Sequence, residues 1–400
     1  MTLKTPRGKR ITSIDMLRGL VMVIMALDHV RDYFHNEAFY FDPTDLEQSY
    51  PSLFWTRFVT HFCAPVFVFL AGTSAFFVGQ RRNKKFLSAW LIKRGLWLIF
   101  AEFTIIKLAW TFQLDYSAII LQVIWVLGLG MLFLAAFIYI PRRIGIAIAL
   151  MVVFAHNFLD IYGQGDPFTP AQTLTEVFWR FLHVFGLVPL GSSMALVAYP
   201  AIPWIFVMPL GYYFGKLYTS EVSSEFRIKR LWQIGLATTL IFFVLRFINL
   251  YGDPYFWTSQ ETVSYTLMSF FNLTKYPPSL LFLLATIGPS IIFLALAEKW
   301  HGKFFDQLVI IGRVPMFFYV VHIYLIHFLA LVAAVATGFQ ASDMIIDIWI
   351  TIQPELQGYG FGLGVVYLIW IGVVLVLYPV CTWYNRYKTN NRDKWWLSYL

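Results

Sequence analysis

Apolar residues fall in long runs separated by short polar stretches. About 20 helical residues cross a bilayer core, and ten segments approach that length: 14–34, 58–79, 90–107, 117–140, 144–160, 197–215, 230–250, 278–298, 308–336 and 361–384. The fifth is short and the ninth long. Phe178 to Leu190 and Tyr265 to Leu273 are apolar but too short to cross, and read as interfacial or re-entrant helices. The pattern predicts an all-α polytopic bundle of about ten transmembrane helices. One such unit, residues 1–400, would lie multi-pass in a cell inner (plasma) membrane. Three connecting stretches, 35–57, 161–196 and 251–277, are long and rich in aromatics, and long loops in compact proteins are often functional. Their rings suit sugar stacking, and equally an interfacial aromatic belt.

Composition agrees. Only 13% of the 400 residues are charged, against about 25% in soluble domains, and mean hydropathy is +0.65. The net charge of +8 would otherwise suggest nucleic acid. Its distribution speaks for topology instead. Of 30 basic residues, 24 fall in one alternating set of loops, including Lys4, Arg7, Lys9, Arg10 and the basic loop 80–94 with Arg81. The set ends with Arg386, Lys388, Arg392 and Lys394. The other six are Arg31, Arg57, Lys107, Arg180, Arg246 and Lys275. This asymmetry places both termini in the cytoplasm and leaves no role for nucleic acid. Cys63 and Cys381 fall on different spans, so neither a disulfide nor a cysteine metal site is expected. Arg18 precedes the first apolar core and Asp28-His29 follows it, which reads as an uncleaved anchor.

Chemistry concentrates on the first span, 13–34. Asp15, Arg18, Met22, Met25 and His29 are spaced 3, 4, 3 and 4 and share one helical face. Asp15 and His29 are then roughly 21 Å apart along the axis. Ionisable groups inside a bilayer are costly and mark functional paths. Asp28, Arg31, Asp32 and His35 form a second face, where Asp28 or Asp32 could orient His29 as a general base. A helix-end charge cluster explains the same residues structurally. His61 opens the second span and could face His29 across the outer mouth. It, His156 and His183 fit structural histidines as well. The ninth span buries Arg313, Tyr319, His322 and His327, with Arg313 and His322 on opposite faces unless Pro315 kinks the helix. Gln122 and Glu102 are further polar intrusions, and Gln can act as interhelical glue. Asp15 and Arg18 suit an ion pair at the helix entrance, and Arg18 with Arg94 could hold phosphates from the cytoplasm. No Walker loop, Rossmann fingerprint, H-E-x-x-H motif or metal-ligand cluster is present in the sequence.

Several of these stretches resemble a known group. Ser13-Ile14-Asp15-Met16-Leu17-Arg18-Gly19, running on to Met25 and Asp28-His29, is the strongest match. Ala64-Pro65-Val66-Phe67-Val68-Phe69-Leu70-Ala71-Gly72-Thr73-Ser74, Leu121-Gln122, Tyr199-Pro200-Ala201-Ile202-Pro203-Trp204 with Gly211 and Gly215, Lys275-Tyr276-Pro277-Pro278-Ser279 and Tyr319-Val320-Val321-His322 complete it. The chain is similar to bacterial membrane proteins related to heparan-α-glucosaminide N-acetyltransferase, within a superfamily of transmembrane acyltransferases. That resemblance implies acetyl transfer from cytoplasmic acetyl-CoA to a sugar or glycan on the far side. In the lysosomal enzyme the essential histidine follows the first span, and its nearest counterpart is His35. Wider superfamily members use a histidine at the position of His29.

Two functions follow as expectations. In an acyltransferase, His29, Asp28, Asp32, His35 and His322 would be catalytic. Asp15, Arg18, Arg94, Arg313 and Gln122 would hold CoA, and His61 and Tyr319 the acceptor. Tyr319, His322 and Gln122 would also be oxyanion donors. The partners would be the lipid bilayer, a CoA thioester and the glycan, with no metal and with a homodimer left open. The alternative is a proton-coupled transporter of a small anion or sugar derivative.

Overall fold

The computed structural model describes residues 11–80, 82–162, 165–391 and 393–398. Lys4, Arg7, Lys9, Arg10, Arg81 and Arg392 lie outside the described residues. The protein is mostly helical. Helix α1 (Thr12–Phe34) is its axis, with most of its residues buried, charged ones included. Around it come α2 (Pro51–Thr60), α3 (Cys63–Gly79), α4 (Lys84–Ala101), α5 (Lys107–Thr111), α6 (Val123–Phe137), α7 (Arg142–Ala155) and α8 (Leu174–Leu182). They are followed by α9 (Trp204–Phe214), α10 (Ser224–Ile248), α11 (Val263–Phe271), α12 (Leu280–Ala297), α13 (Lys303–Gly312), α14 (Pro315–Ala336) and α15 (Leu363–Asn390). Among the described residues, six helical segments are long and apolar enough to cross a membrane: Pro51–Gly79, Arg142–Tyr162, Ser224–Ile248, Leu280–Ala297, Pro315–Ala336 and Leu363–Asn390. Helix α1 is long enough, but Asp15, Arg18, Asp28, Arg31 and Asp32 make it too polar for that set. It packs instead on α2, α3, α12, α13, α14 and α15, so its charges face protein.

The predicted all-α character needs a correction. Strands β1 (Ala118–Leu121), β2 (Gly186–Leu190) and β3 (Ser193–Val197) form a sheet in the order β1-β3-β2. β3 pairs parallel with β1 and antiparallel with β2. The start expected for the fourth span and the end expected for the Phe178 to Leu190 helix are therefore strands. Gly191 at φ +66° sits in the two-residue turn between β2 and β3, a hairpin position that needs the left-handed region. Ile119, Leu121, Val188, Ala195 and Val197 bury one side of the sheet with Phe103, Trp125, Val177 and Phe181. Ile120 and Gln122 alternate to the other side, toward a cavity.

The ninth predicted span is also two helices. It breaks between Gly312 and Pro315, because the proline nitrogen has no hydrogen to continue the ladder. Arg313 lies in the break with its side chain 31% exposed, rather than buried in a continuous helix. Cys63 and Cys381 are buried and unbonded to each other.

Candidate active site at the junction of two cavities

Two cavities flank α1. The first lies toward the C-terminal end of the helix and is lined by Met25, Asp28, His29 and Asp32 together with Arg57, Gln122, Lys275, Tyr276 and Trp349. The second lies toward the N-terminal end and is lined by Arg18, Met22, Ser74, Trp90, Arg94 and Met316. Phe67, Val123 and Tyr319 line both. Arg18, Met22, Met25 and His29, one helical stripe, thus run from one cavity into the other.

The N-terminal cavity is built by ties between helices. Arg18 Nη1 contacts Asp15 Oδ1 at 3.3 Å and donates to the Gly312 carbonyl at 3.2 Å, the open C-terminal end of α13. Its Nη2 donates to Ser74 Oγ on α3 at 2.9 Å. Arg313 Nε stands 3.6 Å from Asp15 Oδ2. Neither Asp15 nor Arg313 lines the cavity; both stand behind Arg18. Arg94 lines it from α4.

At the other end, Asp28 is surrounded by cations from three segments. It accepts from Arg31 Nη2 at 2.9 Å and from Arg57 Nη1 at 2.6 Å, and Lys275 Nζ is 3.9 Å away. Asp32 pairs with Arg31. Neither carboxylate bonds His29, contrary to the expectation that one of them orients it. His29 Nδ1 lies 2.7 Å from His322 Nε2 on α14. A carboxylate saturated by guanidinium groups is poorly placed to serve a neighbouring imidazole as well. His322 is fully buried behind His29, and its Nδ1 is 2.9 Å from the Phe318 carbonyl oxygen.

Trp110 stands edge-on to His29, with ring centroids 4.7 Å apart, and donates from Nε1 to Tyr319 Oη at 3.2 Å. Tyr319 therefore keeps its own hydroxyl proton for another acceptor. Gln122 precedes the first turn of α6. Its backbone N–H and that of Trp125 donate to the Glu102 carboxylate at 2.8 and 2.9 Å, a side-chain cap for that helix. Glu102 opens a π-helical turn, Glu102–Ile106, a local irregularity frequent at functional sites.

Two predicted residues stand apart. His35, just past α1, contacts Tyr50 Oη at 3.2 Å and lines neither cavity. Burial, helped by the nearby Arg31 charge, pushes its pKa down to about 4. His61 packs between Phe58 and Phe282 and does not face His29 across a cavity mouth. Its position at the α2–α3 turn points it into the helix packing. Trp110, Arg57 and Lys275 are not among the site residues expected from sequence; Lys275 falls in a stretch that carries the family resemblance, but nothing local to Trp110 or Arg57 announces its partner. Among the described residues no group of three or more His, Cys, Asp or Glu gathers as a metal site.

No curated relative matches the chain at a significant level. The family described as heparan-alpha-glucosaminide N-acetyltransferase, catalytic, matches residues 10–248, which carry α1, the His29 stripe and most of both cavity walls. Residues 249–400 lie beyond the match and supply Lys275, Tyr319 and His322. This multi-helix membrane protein therefore belongs to the heparan-alpha-glucosaminide N-acetyltransferase catalytic family.

Proposed function

We propose that this protein transfers an acetyl group from cytoplasmic acetyl-CoA to an amine or hydroxyl of a sugar or glycan on the opposite side of an inner (plasma) membrane. The observation that carries the reading is the meeting of two cavities at Phe67, Val123 and Tyr319, beside His29. The biased distribution of basic residues supports cytoplasmic termini. With α1 and the shorter helices counted, it also supports about ten crossings by a single unit. CoA occupies the N-terminal cavity, where Arg18 and Arg94 hold its phosphates. The acceptor occupies the other, among Asp28, Asp32, Arg57, Gln122 and Lys275.

At the junction the acceptor atom loses its proton to His29 as it bonds to the acetyl carbon. The carbon–sulfur bond breaks and the thiolate leaves with that proton. The Tyr319 hydroxyl and the Gln122 amide stabilise the oxyanion. Holding both reactants in one site makes direct transfer the economical route, and an acetyl-histidine would divide it into two half-reactions. The chemistry requires no metal. One chain supplies every residue named, and a homodimer is compatible with it.

The test is acetyl transfer from labelled acetyl-CoA in membranes, with glucosamine as probe acceptor. His29→Ala should lower turnover by about 100-fold or more. Unchanged turnover with intact protein would reject the assignment. Two cavities that share lining residues also suit a proton-coupled carrier of a small anion or sugar derivative. A rise in melting temperature with CoA separates the two, because only the transferase binds it.

A further inference from the structure

The pairing of His29 with His322 fixes where protons sit. The Phe318 carbonyl oxygen, 2.9 Å from His322 Nδ1, can only accept, so Nδ1 carries a hydrogen. His322 is fully buried on α14 with its ring stacked on Phe318. Among the described residues it makes no ion pair with a carboxylate. An imidazolium without a counter-ion is costly there, so the ring is neutral and Nε2 is a bare acceptor. His29 Nδ1 lies 2.7 Å from that atom. Two lone pairs do not face each other at this separation, so His29 Nδ1 is protonated and donates. The lone pair of a neutral His29 is then on Nε2. Among the described residues that nitrogen has no hydrogen-bond partner, and the ring borders the acceptor cavity.

We infer that His322 is a positioning residue that locks His29 in its Nδ1–H tautomer, by a relay running from His29 through His322 to the Phe318 carbonyl, so that the Nε2 lone pair faces the acceptor. The inference rests on the acyltransferase reading. A carboxylate does this work for the histidine of hydrolase triads. Here a neutral imidazole backed by a helix carbonyl does it, and the nearest carboxylate, Asp28, is held off by Arg31, Arg57 and Lys275. The proton balance closes. His29 Nε2 takes the acceptor proton as the new bond to the acetyl carbon forms, and the His29 Nδ1–H bond becomes charge-assisted. The carbon–sulfur bond then breaks, and Nε2 returns the proton to the CoA sulfur.

The test joins nitrogen-15 NMR of ring-labelled histidines with kinetics on acetyl-CoA and glucosamine. The His29 signals are assigned by their loss in His29→Ala. The wild type should show the Nδ1–H tautomer. His322→Phe, which fills the space without an acceptor, should release the tautomer and lower kcat by about 100-fold, with KM for acetyl-CoA unchanged. His322→Gln places a carbonyl oxygen near the lost Nε2 and should restore both the tautomer and most of kcat. A stabilisation by CoA equal to the wild type's shows that each variant is folded. An Nε2–H His29 in the wild type would overturn the lock, as would a wild-type kcat in folded His322→Phe or a His322→Gln no better than His322→Phe. An inactive His29→Ala beside any of these leaves the base assignment standing. An active His29→Ala removes the base assignment and the lock together.

Discussion

Gly312 of α13 lies against α1 so closely that a methyl group on it would fall onto the Asp15 carbonyl oxygen and within 2.8 Å of the Gly19 nitrogen. The reverse holds for Gly19, whose added methyl would meet the Leu308 carbonyl oxygen and stand 3.1 Å from the Gly312 nitrogen. The obstacles are backbone atoms and cannot turn aside. Small residues permit such close helix crossings in membrane proteins. Either Gly→Ala substitution should destabilise the protein by about 1–3 kcal/mol or more. Thermal unfolding in detergent checks this, and an unchanged melting temperature would contradict it. Arg18 should also lose its bond to the Gly312 carbonyl.

Arg57 sits beside a buried charge that needs it. Removing one partner of a buried ion pair costs about 3–5 kcal/mol. Arg57→Ala should fall near the lower end of that range, since Arg31 and Lys275 still face Asp28. Adding Asp28→Asn should recover part of the loss. A double-mutant cycle on chemical unfolding measures the coupling, and strictly additive losses would refute it.

His35 gives a dependence on pH. Its native pKa of about 4 lies below the ordinary 6.5, so the unfolded chain takes the proton first. The contribution to stability is complete above pH 6.5 and is lost as pH falls through about 4. His35→Gln should flatten the acid side of the melting-temperature profile over that window. A profile parallel to the wild type's would show that other groups govern it.

Arg18 and Arg94 line the N-terminal cavity away from His29. Held as phosphate ligands, they contribute to binding before and during the chemical step alike. Arg94→Ala should then raise KM for acetyl-CoA about tenfold with kcat nearly constant. Arg18→Ala should do the same and also lose stability through its bonds to Ser74 and Gly312. A drop in kcat at constant KM would move these residues out of that role.

How far the sequence reveals this arrangement depends on the range of each interaction. The stripe from Arg18 to His29 is legible because helical period alone puts those residues on one face. The break at Gly312–Pro315 has visible signals, yet the apolar run continues through it and masks two helices as one. Short aliphatic runs such as Ala118–Leu121 and Ser193–Val197 look alike as strand or helix, and only their mutual pairing decides. His29 and His322 are 293 residues apart and meet through packing that no local pattern records. Asp28 carries the same lesson. Beside His29 in sequence it looks like that residue's partner, but Arg57 and Lys275 arrive from elsewhere and claim it.

Phe67, Val123 and Tyr319 border both the space reaching in from one end of α1 and the space reaching in from the other. In an energised membrane such a shared wall is also electrical insulation. On the proposed reading it must stay tight against ions and water at the same spot where an acyl group is handed through. If the two spaces open to opposite sides as proposed, the side chains at these three positions would also hold back ions, whatever the chemistry beside them demands.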